Sequence, residues 1–342
     1  MHRIAVDTLG ADAAPEVLAL GALDLAQARG VELTLVGDPE RLGSLAGTRS
    51  HRVVGAVRAV THDDSVRDAL RGKIDSSMRR AIALVASGEA DAVVSAGNTG
   101  ALMALSRHLL PMLPGIDRPA IVKPFIGPGG ARCWVLDLGA NLSCTAEQLH
   151  RFARMGAAMA EAAGGVAAPR VGLLNIGVEN SKGPREVRAA AERMAADEGL
   201  LFAGFVEANE LFDGKVDVVV CDGFAGNVAL KATEGAASMA RHLLGSELGG
   251  SRLARLLLAG RLRRLAAAYN PQAYNGATFV GLQGVVVKSH GGADRGGFRQ
   301  AVDQAVRDLE TDLVGKITSR FAERGRRPGD AGTGREGREG SG

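Results

Sequence analysis

The chain of 342 residues is 46 % hydrophobic, 23 % charged and 4 % aromatic, with 47 glycines, a composition that excludes disordered and fibrous classes and suits a soluble α/β protein. A formal net charge of +3 is too small, and aromatic platforms are too few, for a general nucleic-acid binder. Cys133, Cys144 and Cys221 are odd in number with no CxxC spacing, which argues against a disulfide framework or a zinc cluster, and with no secretory leader and no apolar run near eighteen residues the expected location is the cytoplasm, with membrane contact only from the surface.

One pattern then recurs along the chain. IAVD at 4–7 leads into TLGAD, and a helical pattern over 78–87 precedes DAVVSAGN, which leads into TGALMAL. GPGG at 127–130 reads as a turn, CWVLDLGAN at 133–141 leads into LSCTAEQL, and a second helical pattern covers 146–163. VGLLNIG at 171–177 leads into VENSKG and a helix over 185–197; VDVVVCDG at 216–223 leads into FAGNVALK; VVVKSHGG at 285–292 closes the series. Each Val/Ile/Leu run lacks alternation, as a strand buried on both faces does. Strands alternating with helices predict a three-layer α/β/α fold with a mostly parallel sheet. Residues 1–322 are read as one catalytic α/β unit, undivided or built as two subdomains about one cleft. The Gly-, Arg- and Glu-rich stretch 323–342 is read as a disordered tail.

In sheets of this kind ligands bind at the carboxyl ends of the strands, so the post-strand loops are expected to share one rim. SAGNTG carries no bulky side chain, so its backbone N–H groups at Gly97, Asn98, Thr99 and Gly100, with the helix dipole behind them, suit an anion; a tight turn with an N-cap is the plainer alternative. Asp137 and Asn141 in DLGAN, Asn175 in LLNIG, Lys182 in ENSKG, Asp222 and Asn227 in DGFAGN, Lys231 and His290 are expected to face the same cleft. Lys182 in its glycine-bounded loop suits phosphate as a point charge, or is a solvated lysine. Asp222 follows VVVC, where a carboxylate costs free energy unless partnered, and it serves chemistry or caps the next helix. His290 is equally a structural or a catalytic histidine, whereas Cys144 and Cys221 read as small core residues. GxxxxGK[ST], a post-strand GxGxxG, GxSxG and HExxH are all absent, which removes a P-loop, a dinucleotide fingerprint, a serine hydrolase elbow and a zinc protease helix.

A basic amphipathic segment occupies roughly 241–268. Arg252, Arg255, Arg261, Arg263 and Arg264 alternate there with leucines and no acid lies among them. The readings are an anionic membrane, an acidic partner protein, or a helix packed on the core or on a second subunit.

Taken together, SSMRRAIALVASGEADAVVSAGNTGALM, GIDRPAI, VLDLGAN, LLNIGVENSKG, DVVVCDGFAGNVALK and YNGATFVGLQGVVVKSHGGAD resemble the bacterial phosphate acyltransferases of the PlsX type, in that family's order and from about Ile4 to about Phe321. DTLGAD departs from the family's D-x-M-G-G-D at Leu9 and Ala11, which bears on the form of that turn. The resemblance implies a fold similar to phosphotransacetylase and the isocitrate dehydrogenase type, a homodimer, loose attachment to the inner face of the membrane, and no metal or organic cofactor. It implies transfer of a fatty acyl group from acyl carrier protein to inorganic phosphate, with a glycerol-phosphate acyltransferase as the indirect downstream partner. For that reaction Gly97–Gly100 with Lys182 are expected to hold phosphate, Asn141 and Asn227 to face the oxyanion, Asp222 to orient a lysine or take a proton, and His290 to protonate the thiolate. An acyl-enzyme on Cys144 or Cys221 is the competing route. The rivals are a phosphotransacetylase acting on acyl-CoA, an NAD-dependent dehydrogenase of related fold, for which no acidic metal cluster is found, and a non-catalytic membrane scaffold.

Overall fold

The computed structural model describes residues 1–46, 51–61, 63–249 and 275–322. Arg252, Arg255, Arg261, Arg263 and Arg264 lie outside the described residues, as does the stretch 323–342.

The strands are β1 (Arg3–Asp7), β2 (Glu32–Gly37), β3 (Arg52–Gly55), β4 (Ala92–Ser95), β5 (Ala120–Ile126), β6 (Arg132–Leu136), β7 (Arg170–Leu174), β8 (Leu201–Val206), β9 (Val218–Val220), β10 (Ala277–Val280) and β11 (Val285–Lys288). They form one sheet in the order β3-β2-β1-β4-β11-β10-β5-β6-β9-β7-β8. Among the described residues seven of its ten pairings are parallel, and the three antiparallel ones fall in succession at β11/β10, β10/β5 and β5/β6. Mixed and mostly parallel, the sheet agrees with the expectation from the uninterrupted apolar runs.

The three successive reversals are an odd number. The carboxyl ends of β1, β4 and β11 therefore leave the sheet at one rim, and those of β6, β9 and β7 at the opposite rim. This corrects the expectation of a single shared rim. The GPGG turn is part of the cause: Gly127 N–H donates to the Ala131 carbonyl, Pro128–Gly130 turns the chain, and β6 runs back along β5.

Helices cover both faces. On one face lie α3 (Ser77–Ala86), α4 (Thr99–Leu109) and the first turns of α7 (Gly223–Gly249), packed through Met78, Ile82, Leu102, Leu105 and Leu230 against Ile121, Phe125, Val135 and Val286. On the other face α5 (Ala146–Gly164), α6 (Arg185–Ala195) and α9 (Leu313–Ala322) cover β6, β7 and β9, and α1 (Pro15–Arg29) with α8 (Arg295–Glu310) covers β1, β4 and β11. A short helix, α2 (Pro39–Gly43), follows β2. Phe152, Phe279 and Phe298 are fully buried between these layers, each contributing roughly 1.5–3 kcal/mol through the apolar surface it removes from water.

Helix starts follow the caps written in the sequence. Asn98 Oδ1 accepts from Ala101 N–H to open α4, Thr145 and Gln148 form a reciprocal capping box on α5, and Asp294 accepts from Gly297 N–H at α8. In the DTLGAD turn the left-handed position is Gly10 (φ 80°), where a Cβ would lie 2.6 Å from the Val60 carbonyl oxygen. Ala11 is not among the residues of positive φ, so alanine fits there. No described helix is long and apolar enough to cross a membrane.

Candidate active site

The register places several polar residues in one row across the sheet. Asp7 pairs with Ser95, Ser95 with Lys288, and Lys288 with Ala277. Continuing the Thr278–Val122 pairing by one residue sets Ala277 opposite Lys123. Directly paired residues point to the same side of a sheet, so this row faces α3, α4 and α7.

Over the middle of the row the helical layer parts, leaving a cleft of about 350 Å³. Lys123, Ala277 and Lys288 line it from the sheet, with Ile121 beside them. Asn227, Leu230, Lys231 and Glu234 line it from α7, spaced three and four residues apart so that they share one helix face. Thr99 at the start of α4, Ser289 and His290 after β11, Asn275 and Gly276 before β10, and Leu138 and Gly139 after β6 complete the wall. Helix α7 begins at the far rim and carries Asn227 and Lys231 to the lysine row. Leu138 N–H donates to the Ile121 carbonyl, which brings the post-β6 loop to the same place. Opposite rims thus contribute to one cleft although no single rim holds it.

The cleft is cationic. Three lysines line it against one carboxylate, Glu234, which already pairs with Lys231 at 2.9 Å. Burial pulls the Lys288 ammonium down to about 8; the Lys231 charge pushes the same way, and Asp12 and Asp7 oppose it. Lys123 is lowered by burial and further by Lys231, with Glu234 acting in the opposite sense. Burial lowers His290 as well; Lys231, Lys288 and Lys123 add to the shift and Glu234 resists it. Gly292 N–H donates to His290 Nδ1 at 3.1 Å, so the neutral ring carries its proton on Nε2. Like charges gathered in this way are relieved by an incoming anion.

Of the residues named from the sequence, Thr99, Asn227, Lys231 and His290 line this cleft. Asn98 caps α4, and its Nδ2 reaches the Thr61 carbonyl at 3.5 Å. Gly97 N–H donates to Ser95 Oγ rather than facing outward, and Gly100 lies in the first turn of α4. Asp137 is fully buried and accepts from the N–H groups of Ile121, Gly139, Ala140 and Asn141; Asn141 Nδ2 donates back to it and to the Pro119 carbonyl. That pair organises the post-β6 loop. Asn175 Nδ2 donates to the Lys182 carbonyl, while the Lys182 ammonium pairs with Glu179 at 2.8 Å on an exposed loop outside the cleft lining. Asp222 accepts from Ala225 N–H at 2.8 Å, the capping role that the sequence left open beside chemistry.

Sequence reasoning missed Lys123 and Lys288. A signal was present: AIVKPFI and VVVK each place a lysine within or at the end of an apolar run, where an ammonium costs free energy unless a site uses it. Cys144 and Cys221 are buried. Burial, with Asp137 and Asp222 nearby, pushes the Cys144 thiol up to about 12 and the Cys221 thiol well above the ordinary range, so neither forms a thiolate readily.

The profile of the family described as "Fatty acid synthesis protein" matches residues 2–316. The chain is 46 % identical over 328 residues to the phosphate acyltransferase of Pseudomonas paraeruginosa, covering 93 % of this chain and 97 % of that protein. It is 48 % identical over 328 residues to the phosphate acyltransferase of Alkalilimnicola ehrlichii, covering 93 % and 95 %. Among solved structures, a phosphotransacetylase from Streptococcus pyogenes superposes with a TM-score of 0.62 at 17 % identity, over 90 % of this chain and 94 % of that one, a likeness of fold.

Proposed function

The chain belongs to the fatty acid synthesis protein family and is a phosphate acyltransferase, and from that premise we propose that it moves a fatty acyl group from the thioester of acyl carrier protein to inorganic phosphate. The observation that carries the reading of the site is the row Lys288–Ala277–Lys123 with Lys231 above it. An anion of high charge density is what such a cradle binds, and Ala277 leaves room for it between the two lysines.

Phosphate is a nucleophile without activation, so the site's task is alignment and charge stabilisation. One phosphate oxygen attacks the thioester carbonyl carbon, the carbonyl oxygen takes up negative charge, and the C–S bond breaks as the tetrahedral species collapses to acyl phosphate and carrier thiolate. Lys123, Lys231 and Lys288 hold the phosphate. Asn227 Nδ2 and the His290 Nε2–H serve as donors to the oxyanion. Lys288, whose ammonium titrates near the range of an ordinary thiol, gives the thiolate its proton. In this scheme His290 is a neutral donor, because burial and the neighbouring lysines disfavour its imidazolium. Lys182 stands outside the cleft lining on an exposed loop, where its ammonium is paired with Glu179, and it takes no part in this scheme.

A peripheral position at the inner face of the membrane and a homodimer as the working unit are part of the same proposal, carried over from the resemblance drawn from the sequence. The arginines of 252–264 are proposed to meet acyl carrier protein or anionic lipid. The rival donor is an acyl-CoA thioester, which presents the same reacting group on a different thiol. Incubation with palmitoyl-carrier protein or palmitoyl-CoA, each with phosphate, and trapping of acyl phosphate as hydroxamate decides between them. Product from the carrier thioester alone is expected; product only from the CoA thioester overturns the donor assignment, and none from either overturns the reaction.

A further inference from the structure

Asp7 ends β1 with its carboxylate fully buried, outside the cleft lining but in the same cross-strand row as the lysines. Ser95 Oγ donates to Asp7 Oδ2 at 2.7 Å, and Leu9 N–H donates to Asp7 Oδ1 at 3.2 Å. The Ser95 hydroxyl has one proton, and with that proton committed to Asp7 its lone pairs accept from Gly97 N–H at 3.1 Å. From the other side Lys288 Nζ donates to the Ala96 carbonyl at 3.3 Å, and Ser289 N–H donates to the Ser95 carbonyl at 2.8 Å. The loop Ser95–Gly97, which leads into the cleft residue Thr99, is therefore gripped by a buried acid on one side and by a cleft lysine on the other.

From this geometry we infer that Asp7 is a positioning residue for the anion site: it fixes the Ser95 hydroxyl and thereby the loop before Thr99, and from its place in the same cross-strand row its buried negative charge adds to that of Asp12 in favouring the Lys288 ammonium. The inference rests on the reading of the cleft as a phosphate site. Burial raises Asp7 to about 6, against its hydrogen bonds and the Lys288 charge, so at neutral pH it is a carboxylate. The groups that face Lys288 are Lys231 from α7, Asp12 from the loop after β1, and Asp7 itself, with Lys123, Glu234 and His290 in the same cleft. Lys231 disfavours the ammonium; Asp7 and Asp12 restore it.

Asp7→Asn keeps the size and a hydrogen-bonding partner for Leu9 N–H and Ser95 but removes the charge, whereas Ser95→Ala removes the hydroxyl and leaves the charge. In Asp7→Asn the alkaline limb of kcat/KM for phosphate is expected to move down by a few tenths of a pH unit, with KM for phosphate raised several-fold and KM for the acyl donor unchanged. In Ser95→Ala the affinity for phosphate falls several-fold while the limb stays in place. Adding Asp7→Asn to a Lys288→Arg background leaves the pH profile where Lys288→Arg put it, since arginine holds its proton throughout. A folded Asp7→Asn enzyme with an unmoved limb overturns the charge role, and a Ser95→Ala enzyme with undiminished phosphate affinity overturns the loop role even if Asp7→Asn fails to fold. Titration of Lys288→Met with inorganic phosphate separates this from the cleft reading. Normal binding sinks the cleft itself; lost binding together with an unmoved Asp7→Asn limb sinks only the inference about Asp7.

Discussion

Lys288 and Lys123 stand on the same face of the sheet from strands two apart, with only the methyl group of Ala277 between them. Two inter-strand steps are roughly 10 Å, room for a phosphate to touch both ammonium groups. Neither lysine pairs with the one acid in the cleft, because Glu234 is taken by Lys231.

Filling the gap should therefore act on phosphate before anything else. Ala277→Leu is expected to raise KM for phosphate at least ten-fold, with KM for the acyl donor and the melting temperature nearly unchanged. Steady-state kinetics with each substrate varied in turn reads this, and an unaltered phosphate KM removes the space above Ala277 from the site.

The charge of Lys288 sets a pH limit. Its cation is present below about 8 and lost above, so kcat/KM for phosphate should fall as pH rises through that value. Lys288→Arg should keep phosphate binding at pH 9.5, at about the level seen at pH 7, because guanidinium stays charged. A wild-type profile flat to pH 9.5 contradicts the assignment.

With their thiols held protonated by burial, Cys144 and Cys221 are not expected to carry an acyl group. Cys144→Ala and Cys221→Ala should each retain turnover within about three-fold, since the change removes one buried sulfur and little else. Labelled acyl chain found on denatured wild-type protein, and missing from either variant, would establish the covalent route instead.

Asp308 offers a stability test away from the cleft. It is buried, with Thr278 Oγ1 donating to it at 2.6 Å and Gln304 Nε2 at 2.8 Å, and burial raises its carboxyl to about 7. A carboxyl raised on folding binds its proton more tightly in the folded chain, so its contribution is most favourable below the unfolded value near 4 and is lost as pH climbs through about 7. Asp308→Asn cannot ionise and keeps Gln304 Nε2 as a donor to its oxygen, while the Thr278 hydroxyl turns to accept from its amide N–H. Its melting temperature relative to wild type should rise between pH 5 and pH 8, and a constant difference would show that Asp308 does not titrate there.

Much of the local structure was legible because it depends on neighbours in the chain. The runs AVV, VVV and WVL read as strands buried on both faces, the helices over 78–87, 146–163 and 185–197 fall within a few residues of Ser77–Ala86, Ala146–Gly164 and Arg185–Ala195, and an N-cap is legible in SAGNTG and at Asp222 from their places ahead of helices. Strands β2, β3, β5, β8 and β10 are not among the runs read from the sequence: ELTLVG alternates polar with apolar residues, Lys123 and Pro124 interrupt the run of β5, a glycine interrupts LFAGFV, and RVVG and ATFV are only four residues long. On the local signal alone, asparagines and aspartates in post-strand loops looked like chemistry. Asp137, Asn141 and Asn175 instead satisfy backbone groups of those loops, a use that becomes visible only when donors distant in sequence, such as Ile121 N–H, come within reach.

The sequence by itself determined the α/β alternation, the glycine-bounded loops and the family, since each is carried by residues contiguous in the chain. Strand order and direction were decided only in the tertiary structure: three antiparallel pairings split the loops between two rims, and strand register, which sums contacts between segments as far apart in the chain as Ser95 and Lys288, set Asp7, Ser95, Lys288, Ala277 and Lys123 in one row. A buried lysine has no local signature that says which other lysine it will face, because that depends on which strand the sheet places between them.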